Sequence, residues 1–282
     1  MQQSSDSQAD SQTFQSLEEA AAKAGLNGHF RIHSDFASAH LSHARHIQVW
    51  LPPGYESAAE RYPVLYMHDG NNLFDAGTAF GGSEWQVDEN MHRLLAEERC
   101  QELIIVGIYN SVAREDEYTW TPRQQEDGST IGGQGPAYAR FLVEELKPFI
   151  DATYRTQPGR DDTAVAGSSL GGLISFYLGR HYPQVFSRIG ILSPSLWWND
   201  GEPIRDAAEI GQDLLLWVDM GMREGSQPTA AITRVKDFVR QLETRGYVRG
   251  ENLAYRLEVD AGHNETAWSQ RVDEMICYFF GR

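Results

Sequence analysis

The sequence predicts a single α/β fold on a mostly parallel sheet covered by helices on both faces, and three observations predict it. Short apolar runs of buried-strand type alternate with helical patterns from about residue 60 to the C-terminus. The strands are nearly continuous in apolar residues, as expected when both faces of a parallel sheet are covered. The 282 residues, 41% of them hydrophobic, supply enough apolar side chain for one large core.

The elements follow in order. Met1 to Gln15 is rich in Ser, Gln and Asp, and is expected to be a loose tail. Ser16-Leu17-Glu18-Glu19 reads as a capping box opening an Ala-rich helix that stops at Gly25, so the folded domain is taken to run from residue 16 to residue 282. His29 to Ile32 and Ala44 to Leu51 read as strands, the second halted by Pro52-Pro53-Gly54, and together they look like an antiparallel opening. Pro63 to His68 and Leu103 to Tyr109 are buried strands, with helical character between them over Trp85 to Ala96. Pro136 to Ile150 sets Tyr138, Phe141, Leu142, Leu146 and Phe149 at helical spacing, with Glu144 and Glu145 on the opposite face. Strands are predicted at Thr163 to Ala166, Arg188 to Leu192, Leu214 to Val218 and Leu253 to Val259. Helices are predicted at Leu170 to Arg180 and Thr229 to Thr244, with a last one ending in Tyr278-Phe279-Phe280.

Composition excludes several functions. The net charge of -16 repels phosphate backbones and anionic membranes, so no nucleic-acid partner is expected. Apolar runs such as Leu103 to Ile108 are far too short for a membrane span, which takes about 20 residues. Two cysteines, Cys100 and Cys277, are too few for a disulfide framework and lack C-x-x-C spacing; two buried thiols are expected, with a single bridge left open. The start of the chain has no apolar h-region, which leaves the compartment open between the cytoplasm and export with a signal removed. Oligomeric state is also open.

Gly167-Ser168-Ser169-Leu170-Gly171 matches G-x-S-x-G, with a predicted strand before it and a helix after it. That setting lifts a serine hydroxyl out of the sheet on a strained turn, and Gly167, Gly171 and Gly172 give the backbone room. Ser169 is therefore the candidate nucleophile of an α/β-hydrolase fold. A serine hydroxyl needs an imidazole to take its proton and a carboxylate to orient that imidazole. In this fold the chain order is Ser, acid, His, which leaves His181 and His263. His181 ends the helix after the nucleophile, roughly 18 Å along its axis and pointing away. His263, in Asp260-Ala261-Gly262-His263-Asn264 just past the last strand, is the candidate base. Asp219 and Glu224 both follow the strand Leu214 to Val218, and position alone does not choose between them; Asp260 reads as a loop brace. The oxyanion is expected to meet the backbone N–H of Leu170 and of Asn71, the latter in His68-Asp69-Gly70-Asn71-Asn72.

For the substrate, Asn72, Phe74, Trp85, Trp120, Trp197 and Trp198 lie in or near loops expected to border the same face, as walls for an aryl, sugar or short acyl ester. No metal or organic cofactor is called for, and the spacing of His40, His43 and His46 fits no usual zinc site.

Taken together, the residues resemble an esterase family that includes feruloyl esterases, siderophore esterases and the antigen 85 acyltransferases. The resemblance runs from about Arg45 to the C-terminus. It rests on Leu51-Pro52-Pro53-Gly54-Tyr55, Met67-His68-Asp69-Gly70-Asn71-Asn72-Leu73-Phe74-Asp75, Glu144-Glu145-Leu146-Lys147-Pro148-Phe149-Ile150, Ala166-Gly167-Ser168-Ser169-Leu170-Gly171-Gly172 and Ser193-Pro194-Ser195-Leu196-Trp197-Trp198. It implies Ser169 as nucleophile, His263 as base, Glu224 as acid, and oxyanion donors at Asn71 and Leu170. Asn71 stands where many relatives carry Gln, which a backbone donor tolerates. The implied activity is a serine carboxylesterase working through an acyl-enzyme. An antigen 85-like acyltransferase and a non-catalytic carbohydrate-binding protein on the same fold are the alternatives. A strongly anionic siderophore ranks lower as substrate, because Lys and Arg number 24 against 40 acidic residues.

Overall fold

The structure, a computed structural model, describes residues 29–282; the tail and the helix expected before Gly25 lie outside the described residues. Eight strands form one sheet in the order β1-β2-β4-β3-β7-β8-β9-β10: β1 (His29–Phe36), β2 (Arg45–Leu51), β3 (Val64–His68), β4 (Ile104–Ile108), β7 (Thr163–Ser168), β8 (Arg188–Leu192), β9 (Leu215–Gly221) and β10 (Leu253–Glu258). The first two pairings, β1 with β2 and β2 with β4, are antiparallel, and every later one is parallel. This is an α/β-hydrolase fold.

The helices are α1 (Val87–Ala96), α2 (Arg114–Glu117), α3 (Gly135–Arg140), α4 (Lys147–Thr153), α5 (Leu170–His181), α6 (Glu202–Asp206), α7 (Pro228–Thr244), α8 (Glu265–Ser269) and α9 (Val272–Phe280). Successive residues of a strand face opposite sides. Val64 and Tyr66 of β3 accordingly join one apolar cluster with Phe141, Ile174 and Phe238, while Leu65 and Met67 join another with Met91, Met275 and Ile276. Helices cover both, so the inner strands have no polar face, and all five residues of β3 and of β4 are buried.

Three departures from the sequence reading have local causes. The predicted helix over Pro136 to Ile150 is α3 and α4 joined by a π-helical turn, Phe141–Leu146. Pro148 lies just past that turn and cannot give an N–H to the carbonyl four residues back. The helix expected from Trp85 begins at Val87, because Gln86 takes a left-handed conformation and Trp85 turns into the core. The small hairpin β5 (Pro122–Gln124) with β6 (Thr130–Gly132) has no signature in the sequence, since three-residue strands carry almost no alternation. Cys100 and Cys277 are free thiols, and only Cys100 is fully buried. No helix among the described residues is long and apolar enough to cross a membrane.

Candidate active site

Five neighbouring parallel strands deliver their following loops to one edge of the sheet: Asn71 after β3, Ser169 after β7, Ser195 after β8, Glu224 after β9 and His263 after β10. Side chains up to 193 residues apart in sequence meet there, as at the carboxyl edge of other open α/β sheets.

Ser169 sits between β7 and α5 at φ 60° and ψ -121°, a conformation that L side chains rarely adopt. The chain on either side must come close. A Cβ on Gly167 would lie 2.9 Å from the backbone carbon of Gly171, so glycine is needed where the turn folds onto the strand end. The same holds for the loop after β3, where a Cβ on Gly70 would lie 2.5 Å from the backbone of Gly107.

Ser169 Oγ lies 3.0 Å from His263 Nε2, and His263 Nδ1 lies 2.8 Å from Glu224 Oε2. A carboxylate only accepts, so Nδ1 carries the ring proton and Nε2 is left to accept from the serine hydroxyl. The second Glu224 oxygen accepts from the Gly221 N–H at 2.6 Å and from the Ser193 hydroxyl at 2.5 Å. Ser193 Oγ in turn accepts from Trp268 Nε1 at 2.9 Å and from an Arg271 Nη at 2.6 Å. The Glu224 carboxyl, 4% exposed, thus has partners on both of its oxygens.

Asp219, the other carboxylate after β9, has a different duty. It accepts from Trp217 Nε1 at 2.7 Å and pairs with Arg271 at 3.0 Å. Burial pushes its carboxyl up to about 6 against the pull of Arg271 and Trp217. Asp260 pairs with Arg223 on the surface, in keeping with a brace. His181 packs against Tyr177 at the far end of α5.

A cleft of about 350 Å³ opens over Ser169 and is lined by Asn71, Asn72, Phe80, Arg114, Glu265 and Trp268 among others. Leu170 is the first residue of α5, so its N–H has no intrahelical acceptor and points with the positive end of the helix dipole. Asn71 occupies a one-turn 3-10 segment, Gly70–Asn72, on the other side of the cleft. On the floor, Arg114 makes a two-pronged pair with Asp69, 2.6 and 2.8 Å. Burial works to raise the Asp69 carboxyl, yet Arg114 holds it below its ordinary value. Burial raises Glu265. A smaller recess of about 210 Å³ lies on the other side of His263, between Ser195, Trp197 and Met220. A third cleft, behind the loop Asp260 to Asn264, does not reach Ser169.

Of the expected substrate contacts, Asn72 lines the main cleft and Trp197, 46% exposed, lines the smaller recess. The other four are corrected. Phe74 is buried edge-on to Phe30, and Trp85 is buried against Trp268. Trp198 is buried with its indole N–H on the Thr121 carbonyl, and Trp120 stacks on Tyr177 and donates to Asp206. Large rings next to a site are most often used as core. Residues not singled out from the sequence include Ser195, whose Oγ is 3.1 Å from Ser169 Oγ, and Ser193; both lie in the Ser193-Pro194-Ser195 stretch that marks the resemblance. Arg114, Glu265 and Trp268 carry no local signal.

The described site can be set beside known proteins. The protein YbbA of Bacillus subtilis (strain 168), of uncharacterized function, is 25% identical over 252 residues, covering 87% of this chain and 96% of its own. A ferulic acid esterase structure superposes with a TM-score of 0.69 at 20% identity, covering 90% of this chain and 98% of that one. The enterobactin esterase FES of Shigella flexneri superposes at 0.68 and 19% identity, covering 90% of this chain but 59% of that one. These two likenesses are of fold. The family described as "Putative esterase" matches residues 38–279, nearly the whole described chain, and this protein belongs to that esterase family.

Proposed function

We propose that this protein is a serine carboxylesterase that hydrolyses esters of small aryl, sugar or short acyl groups through an acyl-enzyme. The observation that carries the proposal is the unbroken chain from Ser169 Oγ to His263 to Glu224, at 3.0 and 2.8 Å. Ser169 Oγ attacks the ester carbonyl carbon while His263 Nε2 takes its proton, and Glu224 stabilises the imidazolium. The oxyanion is received by the N–H groups of Leu170 and Asn71. When the tetrahedral intermediate collapses, the C–O bond to the alcohol breaks and His263 returns the proton to the departing oxygen. Water then enters, gives its proton to His263 and attacks the acyl carbon; Ser169 leaves with that proton, and the acid is released.

Cleft size supports a small substrate, since about 350 Å³ is near the lower end of ligand pockets. An aromatic acyl group is favoured by Phe80 and Trp268 on its walls and by the ferulic acid esterase likeness. The test is hydrolysis of p-nitrophenyl acyl esters and methyl ferulate by the native protein and by Ser169→Ala, both shown to be folded. Loss of roughly 10⁴-fold or more in the variant is expected. Equal rates in both proteins would remove Ser169 as nucleophile.

A further inference from the structure

Glu84, Asp88 and Glu89 meet where the loop after β3 enters α1, and one carboxylate oxygen from each lies within 4.8 Å of the others. Asp88 is fully buried; neither of its oxygens accepts from an N–H or O–H of another described residue, and its side-chain neighbour is the Glu89 carboxyl. Oε2 of Glu84 is likewise buried without a hydrogen-bond partner among the described residues. A carboxylate in that condition is costly unless a counter-charge or a proton meets it.

The surroundings supply little positive charge. Among the described residues no Lys or Arg pairs with any of the three, and Asp75 adds to the negative field at Glu84. The N-terminus of α1 contributes about half a positive charge, which leaves the three carboxylates, once all are ionised, more than two charges short of balance. The donors are all oxygen, the ligand set of a hard cation, and at less than 4.8 Å from one another they are close enough to share one ion. Glu89 is exposed and opens the cluster to solvent.

We propose that Glu84, Asp88 and Glu89 form a binding site for a divalent cation of the Ca²⁺ type that clasps the loop between β3 and α1. Water completes the coordination, because three side chains supply fewer than the 6 to 8 oxygens typical of Ca²⁺. The role is structural, and it does not depend on the esterase reading. The clasped loop carries the cleft wall: Trp85 N–H donates to Asn72 O at 2.8 Å, and Val87 N–H to Leu73 O at 3.1 Å. The Trp85 ring lies 5.4 Å from that of Trp268, which lies 5.0 Å from the ring of His263. Burial and the neighbouring carboxylates push Glu84 up to about 7 and Asp88 up to about 8, so a proton is the competitor for the same place.

The experiment uses the full chain, stripped with EDTA and held at mildly alkaline pH. CaCl₂ is titrated by calorimetry, and Tm is followed with NaCl at matched ionic strength as control. Asp88→Asn, Glu89→Gln and, as a control on a distant exposed acid, Glu126→Gln are measured alongside. Saturable one-to-one binding and a Ca²⁺-dependent rise in Tm are expected in the native protein and in Glu126→Gln. Binding is expected to vanish in Asp88→Asn and to weaken roughly tenfold or more in Glu89→Gln, whose exposed side chain leaves folding intact. No saturable binding to the native protein would overturn the proposal in favour of a protonated cluster. Equal Tm shifts in Glu89→Gln and Glu126→Gln would reduce the effect to screening of an acidic surface.

Discussion

Replacing Glu224 with Gln separates orientation from charge, because the structure dictates which way the new amide points. At the Oε1 position a group must accept from the Gly221 N–H at 2.6 Å and lies 3.5 Å from the Arg271 guanidinium, so the amide oxygen takes that place. The NH₂ then stands where Oε2 was, 2.8 Å from His263 Nδ1, and donates to it. His263 is thereby forced to carry its proton on Nε2, where it faces Ser169 Oγ and cannot accept. A wrong tautomer of this kind costs about 10⁴ in kcat, or about 5 kcal/mol of transition-state stabilisation. Asp219→Asn is the comparison. It leaves the His263 tautomer unchanged and acts on the buried pair with Arg271, so it is expected to lower stability by about 3 kcal/mol while the rate per folded molecule falls less than about tenfold. Steady-state hydrolysis of a p-nitrophenyl ester, with near-UV circular dichroism to count folded protein, reads both. Glu224→Gln within tenfold of native, or Asp219→Asn the worse of the two, would refute the assignment of the acid.

Two further outcomes are expected. Burial lowers the His68 imidazole from 6.5 to about 3, so the unfolded chain binds a proton that the folded one refuses between those values. That stability is fully present above about pH 6.5 and is lost toward pH 3, by up to about 4 to 5 kcal/mol. Asp219, raised to about 6, works in the opposite direction, so the measurement is the difference in urea stability between native and His68→Gln across this window. A difference that does not change with pH would place the imidazole in water. Gly70→Ala drives a Cβ to within 2.5 Å of the Gly107 backbone and must displace the Asn71 loop. Loss of one oxyanion donor would lower kcat by about 10² to 10³, and an unchanged kcat in the folded variant would free Asn71 of that role.

Much of the scaffold was legible in the chain because periodicity is local. The buried strands β3, β4, β7 and β8, and the helices α5 and α7, announce themselves in windows of a few residues. Ser169 and His263 were equally legible, since a glycine-flanked serine between strand and helix, and a histidine after the last strand, are tied to their elements by sequence neighbourhood. Asp219 and Glu224 were not separable in that way: both follow β9, and only the packing of Arg271 and Trp217 on one, and of Gly221 and His263 on the other, distinguishes them.

Sequence by itself therefore determined the fold class, the order of the elements, and the candidate serine and histidine at strand ends, because each depends on residues within one turn or one strand. Tertiary structure alone decided which carboxylate meets the imidazole and which aromatic rings are core rather than wall. It also decided that Glu84, Asp88 and Glu89 converge around a buried, unpartnered carboxylate. Those outcomes depend on where a side chain points after distant segments have packed, and burial converts a difference of one rotamer into a different partner.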